Sequence, residues 1–235
     1  MKNLRRLLIS LASIGLLMGL APGAGAQSAA AGSPQAGSPQ AGSPQAGERK
    51  AAMCIGCHGI AGYQSSFPEI YKVPMIAGQN AKYIASSLAG YKKGDRKHPT
   101  MHAVATSLSE QDMADLAAYY EQLGKAGEPN EAKAAPAPSA EVAGLLKKGN
   151  CVACHGDNFS KPVDASYPKL AGQHSDYLYF ALRAYQTDKN PQVGRNNAIM
   201  MGMARPYTHA EAKQIASYIA SLPGELKTVQ QSRWR

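Results

Sequence analysis

A chain of 235 residues, with 44% hydrophobic and 17% charged residues, is long enough for more than one small domain and apolar enough to bury a core. Its net charge of +9 falls to +6 once a leader carrying Lys2, Arg5 and Arg6 is removed. The basic residues are scattered rather than massed with aromatic ones, which excludes a nucleic-acid partner but suits docking to an acidic protein or to anionic lipid.

In chain order, Lys2, Arg5 and Arg6 precede a short apolar run from Leu7 to Leu20, and Ala24-Gly25-Ala26 supplies a small-residue cleavage site. That order marks 1–26 as an export signal peptide, since the apolar run falls short of the roughly 20 residues that span a bilayer. The mature chain is expected to start at Gln27 in the periplasm, and no nearby cysteine offers a lipid anchor. Ala-Gly-Ser-Pro-Gln then repeats at 31–35, 36–40 and 41–45. Such residues bury no core, so 27–47 reads as a spacer without regular structure.

The central motif occurs twice, as Cys54-Ile55-Gly56-Cys57-His58 and Cys151-Val152-Ala153-Cys154-His155, and these use all four cysteines. Two thiols about one helical turn apart can form thioethers to the two vinyl groups of one porphyrin, and the next histidine then becomes the proximal iron ligand. A disulfide framework does not need the histidines, and a zinc site built from four thiolates leaves both unused. A dithiol redox motif expects a βαβ context that the sequence lacks. We therefore expect two covalently bound haem c groups, with Cys54, Cys57, Cys151 and Cys154 as attachment points and His58 and His155 on iron.

An internal repeat follows from further matches. Pro74-Met75-Ile76-Ala77-Gly78-Gln79 corresponds to Pro168-Lys169-Leu170-Ala171-Gly172-Gln173, and Tyr83, Leu88 and Tyr91 recur 94 residues later as Tyr177, Leu182 and Tyr185. Arg96 and Met101 match Arg195 and Met200 at an offset of 99, so the second copy carries about five extra residues near Thr187–Gly194. Between the copies, 126–138 is rich in Pro and Ala and reads as a linker. The domains are expected at 48–125 and 139–224, with a tail over 225–235.

Each copy reads as helical. Leu116, Tyr119, Tyr120 and Leu123 form an apolar stripe, opened by the cap Ser109-Glu110-Gln111-Asp112. Thr208-His209-Ala210-Glu211 opens the matching helix, which ends before Pro223. Further helices are expected over 80–92 and 174–187, and over Ser139–Gly149 leading into the second motif. No long period-two alternation points to a sheet. The fold class is all-α.

The distal iron ligand is sought among Met and His, the usual partners of a proximal histidine. Met101 lies eight residues before Ser109 and Met200 eight before Thr208, in loops where His98 and His102 have no counterpart. Met101 and Met200 are the expected ligands, with Met201 and Met203 as alternatives for the second iron. Met53 and Met113 are assigned to core packing. Arg96 and Arg195 each precede their Met by five residues, and their planar forks suit haem propionates.

The ordered set C-x-x-C-H-G, P-x-[IL]-A-G-Q, Y-x-x-x-x-L-x-x-Y and Met before L-S-x-x-D-x-x-x-L-A-x-Y resembles the cytochrome c4 family of dihaem class I c-type cytochromes, over about 48–223. The resemblance implies two tandem class I cytochrome c folds facing each other. Pro74 and Pro168 match the proline whose carbonyl accepts a hydrogen bond from the proximal histidine. It also implies an electron carrier rather than an enzyme, working between a quinol-oxidising complex or dehydrogenase and a terminal oxidase. Loose association with the inner membrane is part of the pattern. Another reading is a permanently docked cytochrome subunit of a dehydrogenase or oxidase complex. A dihaem redox enzyme fits less well, because methionine ligands close the iron sites.

Overall fold

The apolar stripes of the sequence become helices in two matching series. The computed structural model describes residues 41–125 and 134–230. The leader, most of the spacer, part of the linker and the end of the tail lie outside them. The first series is α1 (Pro44–Lys50), α2 (Ala52–His58), α3 (Ala81–Lys93), α4 (Pro99–Thr106) and α5 (Glu110–Leu123). The second is α6 (Ala140–Lys148), α7 (Val152–His155), α8 (Ser175–Gln186), α9 (Ala198–Ala204) and α10 (His209–Ser221).

The helix ends follow local chemistry. Ser109 and Thr208 each close a full capping box, with Asp112 and Glu211 returning the bond. Ser139 caps α6 through the Val142 N–H. The extra residues near 187–193 form the connection after α8. In the first series the chain turns at once through Gly94, whose φ of 89° is left-handed.

One boundary differs from expectation. The spacer was expected to lack structure through residue 47, yet α1 begins inside the third Ala-Gly-Ser-Pro-Gln copy. Ser43 is its N-cap and Pro44 occupies the first turn, where a missing N–H costs nothing. The small residues allow close packing: a Cβ on Gly42 or Gly47 would collide with the α5 backbone at Ala114 and Asp115. Ser43 N–H donates to the Asp115 carboxylate at 2.8 Å, and Lys50 Nζ lies 2.6 Å from Asp115 and 2.7 Å from Asp112. Composition alone hid this helix because its stability comes from α5, not from its own apolar residues.

Each series has a core. Ile84, Leu108, Met113, Leu116 and Tyr120 gather in the first, and Val142, Leu145, Phe159, Ile215 and Ile219 in the second. A smaller cluster joins the halves: Tyr71 stacks on Phe180 at 4.2 Å, with Ala184 and Val193 alongside. Among the described residues, four strands of two residues each supplement the helices. β1 (Gln64–Ser65) and β2 (Tyr71–Lys72) form a hairpin, and β3 (Arg96–Lys97) pairs antiparallel with β4 (Gly194–Arg195) across the halves, placing Arg96 opposite Arg195. Such short ladders leave no alternation to read in sequence. Beyond α10, Lys227 N–H donates to the Ala77 carbonyl at 3.0 Å and Val229 packs on the first core.

Candidate functional site

Cys54, Cys57 and His58 occupy positions i, i+3 and i+4 along α2, so their side chains share one face. Pro74 O lies 2.9 Å from His58 Nδ1. A carbonyl only accepts, so Nδ1 carries the proton and the Nε2 lone pair is left for a metal. Burial holds the His58 pKa below the usual histidine value, against the Pro74 bond, so the imidazole is neutral, as ligation requires. The second half repeats this arrangement: His155 Nδ1 lies 3.2 Å from Pro168 O, and burial again lowers the pKa.

A cavity opens beside α2. His58, Cys54 and Met101 line it together with Ile84, Leu88 and Leu116, so imidazole, thiol and thioether meet within apolar walls. Met53, expected in the core, is 57% exposed and lines this cavity instead, whereas Met113 is packed at 4%. Leu116 and Tyr120 of α5 line the same cavity, so Cys54 and Met53 meet α5 across it.

Met101 sits in helix α4, not in a loop. His98 is the N-cap of that helix and its Nδ1 accepts from the Met101 N–H at 3.3 Å. Asn197 caps α9 in the same way, accepting from the Met200 N–H at 3.0 Å. Met101 and Met200 therefore hold equivalent positions at the third residue of equivalent helices. Met201 and Met203 lie further along α9, and Met203 is 44% exposed.

Arg96 and Arg195 form a second constellation between the halves. Arg96 donates to Tyr83 Oη at 3.0 Å, Ser87 Oγ at 2.7 Å and Tyr91 Oη at 3.2 Å, and it reaches Tyr177 Oη at 3.5 Å. Arg195 donates to the same Tyr177 hydroxyl at 3.0 Å and lies over the Tyr185 ring at 5.4 Å. No ion pair among the described residues involves either guanidinium. Arg96 Nε is buried without a partner in the described residues. Burial pushes the Tyr83 phenol up, but Arg96 and then Arg195 draw it down to about 8. Two buried cations with only neutral hydroxyls around them make a place for an anion. The four tyrosines were visible in the sequence as recurring positions, but spacing gave no sign that they would encircle the arginines.

Gln79 and Gln173, also recurring, clamp the halves together. Gln79 bonds both backbone groups of Lys169 at 2.9 Å, and Gln173 bonds those of Met75 at 3.1 and 2.9 Å. Both glutamines are buried.

This donor set suits haem: paired thiols, a neutral imidazole with one nitrogen free, a thioether and apolar walls. Among the described residues, no three His, Cys, Asp or Glu side chains gather into a metal-binding group, so the thiols do not form one shared site. The cysteines are unpaired.

Known proteins agree. The sequence profile of the family described as cytochrome c matches twice, over 44–124 and 139–223. Cytochrome c4 of Pseudomonas aeruginosa is 31% identical over 222 residues, covering 93% of this chain and 100% of that protein. A protein named thiosulfate dehydrogenase electron acceptor, from Stutzerimonas stutzeri, is 33% identical and covers 77% of this chain and 83% of its own. The crystal structure of reduced cytochrome c4 from Pseudomonas stutzeri superposes with a TM-score of 0.56 at 28% identity, over 77% of this chain and 100% of that one.

Proposed function

We propose that this chain, which belongs to the cytochrome c4 family, passes electrons in the periplasm between a donor such as a dehydrogenase or quinol-oxidising complex and a terminal oxidase. Two haem c groups are bound covalently, one through Cys54 and Cys57 and one through Cys151 and Cys154. When bound, each supplies a one-electron couple that the polypeptide lacks. His58 and Met101 serve the first iron, His155 and Met200 the second.

The observation that carries this reading is the joint lining of one apolar cavity by His58 and Met101. Pro74 O fixes the His58 tautomer and leaves Nε2 for the metal. The cap on α4 fixes the backbone of Met101. A histidine and a methionine for each iron would leave no open site for substrate, which favours electron transfer over catalysis. The apolar walls keep water from the centre and raise the cost of the extra charge on oxidised iron, which favours the reduced state. Arg96 and Arg195 receive propionate carboxylates, which supply the anion their surroundings lack. The β3–β4 ladder brings Arg96 and Arg195 together at the junction, so propionates held there would bring the two haems near each other for exchange within the molecule.

The dehydrogenase donor is favoured by the relative named as an electron acceptor of thiosulfate dehydrogenase. The leader, which lies outside the described residues, accounts for export. Among the described residues no helix is long and apolar enough to cross a membrane. An optical redox titration of purified holoprotein, with denaturing mass spectrometry, tests the proposal. Two haem masses on the polypeptide and two low-spin centres with methionine–iron absorption are expected. A bare chain, or high-spin iron open to added ligands, overturns it.

A further inference from the structure

The clamp between the halves does more than hold them. Pro74 C=O and Met75 N–H belong to one peptide group. Its oxygen accepts from His58 Nδ1 at 2.9 Å, while its N–H donates to Gln173 Oε1, in the opposite half, at 3.1 Å. The mirror arrangement runs from His155 Nδ1 through the Pro168–Lys169 peptide, at 3.2 Å, to Gln79 Oε1 at 2.9 Å. Each glutamine amide completes the contact by donating to the carbonyl of the same residue, Met75 or Lys169, at 2.9 Å. Each Oε1 also accepts from the next backbone N–H, of Asn80 or His174, at 3.0 Å, so three bonds fix each amide in one orientation, and burial of both side chains keeps water from competing.

We propose that Gln79 and Gln173 are positioning residues that act across the junction, each setting the electron-donor strength of the axial histidine in the other half. A peptide that donates through its N–H gains electron density on its oxygen, because amide resonance links the two ends. The Pro74 carbonyl then draws the Nδ1 proton of His58 more strongly, and the imidazole becomes a better donor to iron. A better donor stabilises the oxidised centre and lowers its potential. Gln173 therefore lowers the potential of the first haem, although it belongs to the second half, and Gln79 does the same for the second haem.

The inference rests on His58 and His155 as the axial ligands. Iron-shifted ring resonances from both imidazoles in wild-type holoprotein test that premise separately: without them the ligand assignment fails. The relay is tested in Gln173→Met, which keeps side-chain length but removes the acceptor. The first haem's midpoint should rise by about threefold in its reduction equilibrium, about 28 mV for a one-electron couple, while the second stays within a third of that shift. In the reduced protein the His58 Nδ1 proton resonance should move upfield and that of His155 should stay. Gln79→Met should give the opposite pattern. Gln173→Asn, which keeps an amide but withdraws it by one methylene, stands in if the Met variant does not fold, with the same direction expected. Gln173→Glu is the rescue: in this buried place the carboxyl stays protonated, keeps both bonds and leaves the midpoint near wild type. A shift confined to the haem in the substituted half, equal shifts in both haems, or no shift with intact imidazole ligation each overturns the relay.

Discussion

The arginine pair lends itself to a quantitative test. Arg96 and Arg195 reach one Tyr177 hydroxyl at 3.5 and 3.0 Å, so their donating nitrogens are at most about 6.5 Å apart. At an effective dielectric near 20, two unit charges at that spacing repel by about 2.6 kcal/mol, before any cost of leaving water. In the polypeptide alone this positive field outweighs burial and brings Tyr83 to about 8. Two propionate carboxylates, one for each guanidinium, would cancel the field. Burial then dominates, and Tyr83 in the holoprotein titrates above its ordinary value of about 10. The consequence for stability has a definite sign. A phenol depressed to about 8 would add stability that is present above pH 10 and lost as pH falls through 8. With allowance for the partial exposure of Tyr83, that rise would be about 2 kcal/mol, and holoprotein should lack it. Ring-carbon NMR of isotope-labelled tyrosine, assigned with Tyr83→Phe, reads the titration, and urea unfolding at pH 8 and pH 10 reads the stability. A phenolate forming near pH 8 in holoprotein, accompanied by that rise, refutes the propionate role.

Met101→Ala should open the first iron to added ligands and remove one of two methionine–iron bands, leaving the second haem intact; retention of both bands removes Met101 as ligand. Lys50→Met breaks the contacts to Asp112 and Asp115 and should cost about 2 kcal/mol, lowering Tm by about 4–8 °C in calorimetry. Lys50 and then Ser109 hold Asp112 at about 2, so its contribution is present above about pH 4 and lost as pH falls through 2. Acid unfolding of the Lys50 variant should accordingly begin at higher pH than in wild type, and coincident acid limbs would argue against the ion pair. Gly124→Ala places a Cβ against the backbone of Gly78, where no flexible side chain can yield, and should cost about 2 kcal/mol by urea unfolding; an unchanged midpoint would mean that this close approach does not exist.

Much was readable from local chemistry. The paired C-x-x-C-H motifs carry their own geometry, since one helical turn sets the thiols and histidine on one face. Ser109 and Thr208 announce the helices they cap, because the capping box closes within four residues. The match of Met101 to Met200, counted from those caps, is a local register that the N-caps His98 and Asn197 reproduce. What sequence hid depends on residues far apart in the chain. α1 exists because Asp115 and the α5 backbone receive small residues that by composition look structureless. Met53 faces a cavity whose other walls come from α3, α4 and α5, and periodicity within α2 does not report that. Arg96 meets Arg195 only once the halves pair through β3 and β4, and their tyrosine surroundings come from α3 and α8 together. Gln79 and Gln173 stood out as repeated letters, yet their partners lie 90 and 98 residues away. Motif spacing determines which residues can hold the cofactor, because bonding within a turn is local. Which residues couple the two centres is a property of the junction, and only the packing of one half on the other brings those groups within hydrogen-bond reach.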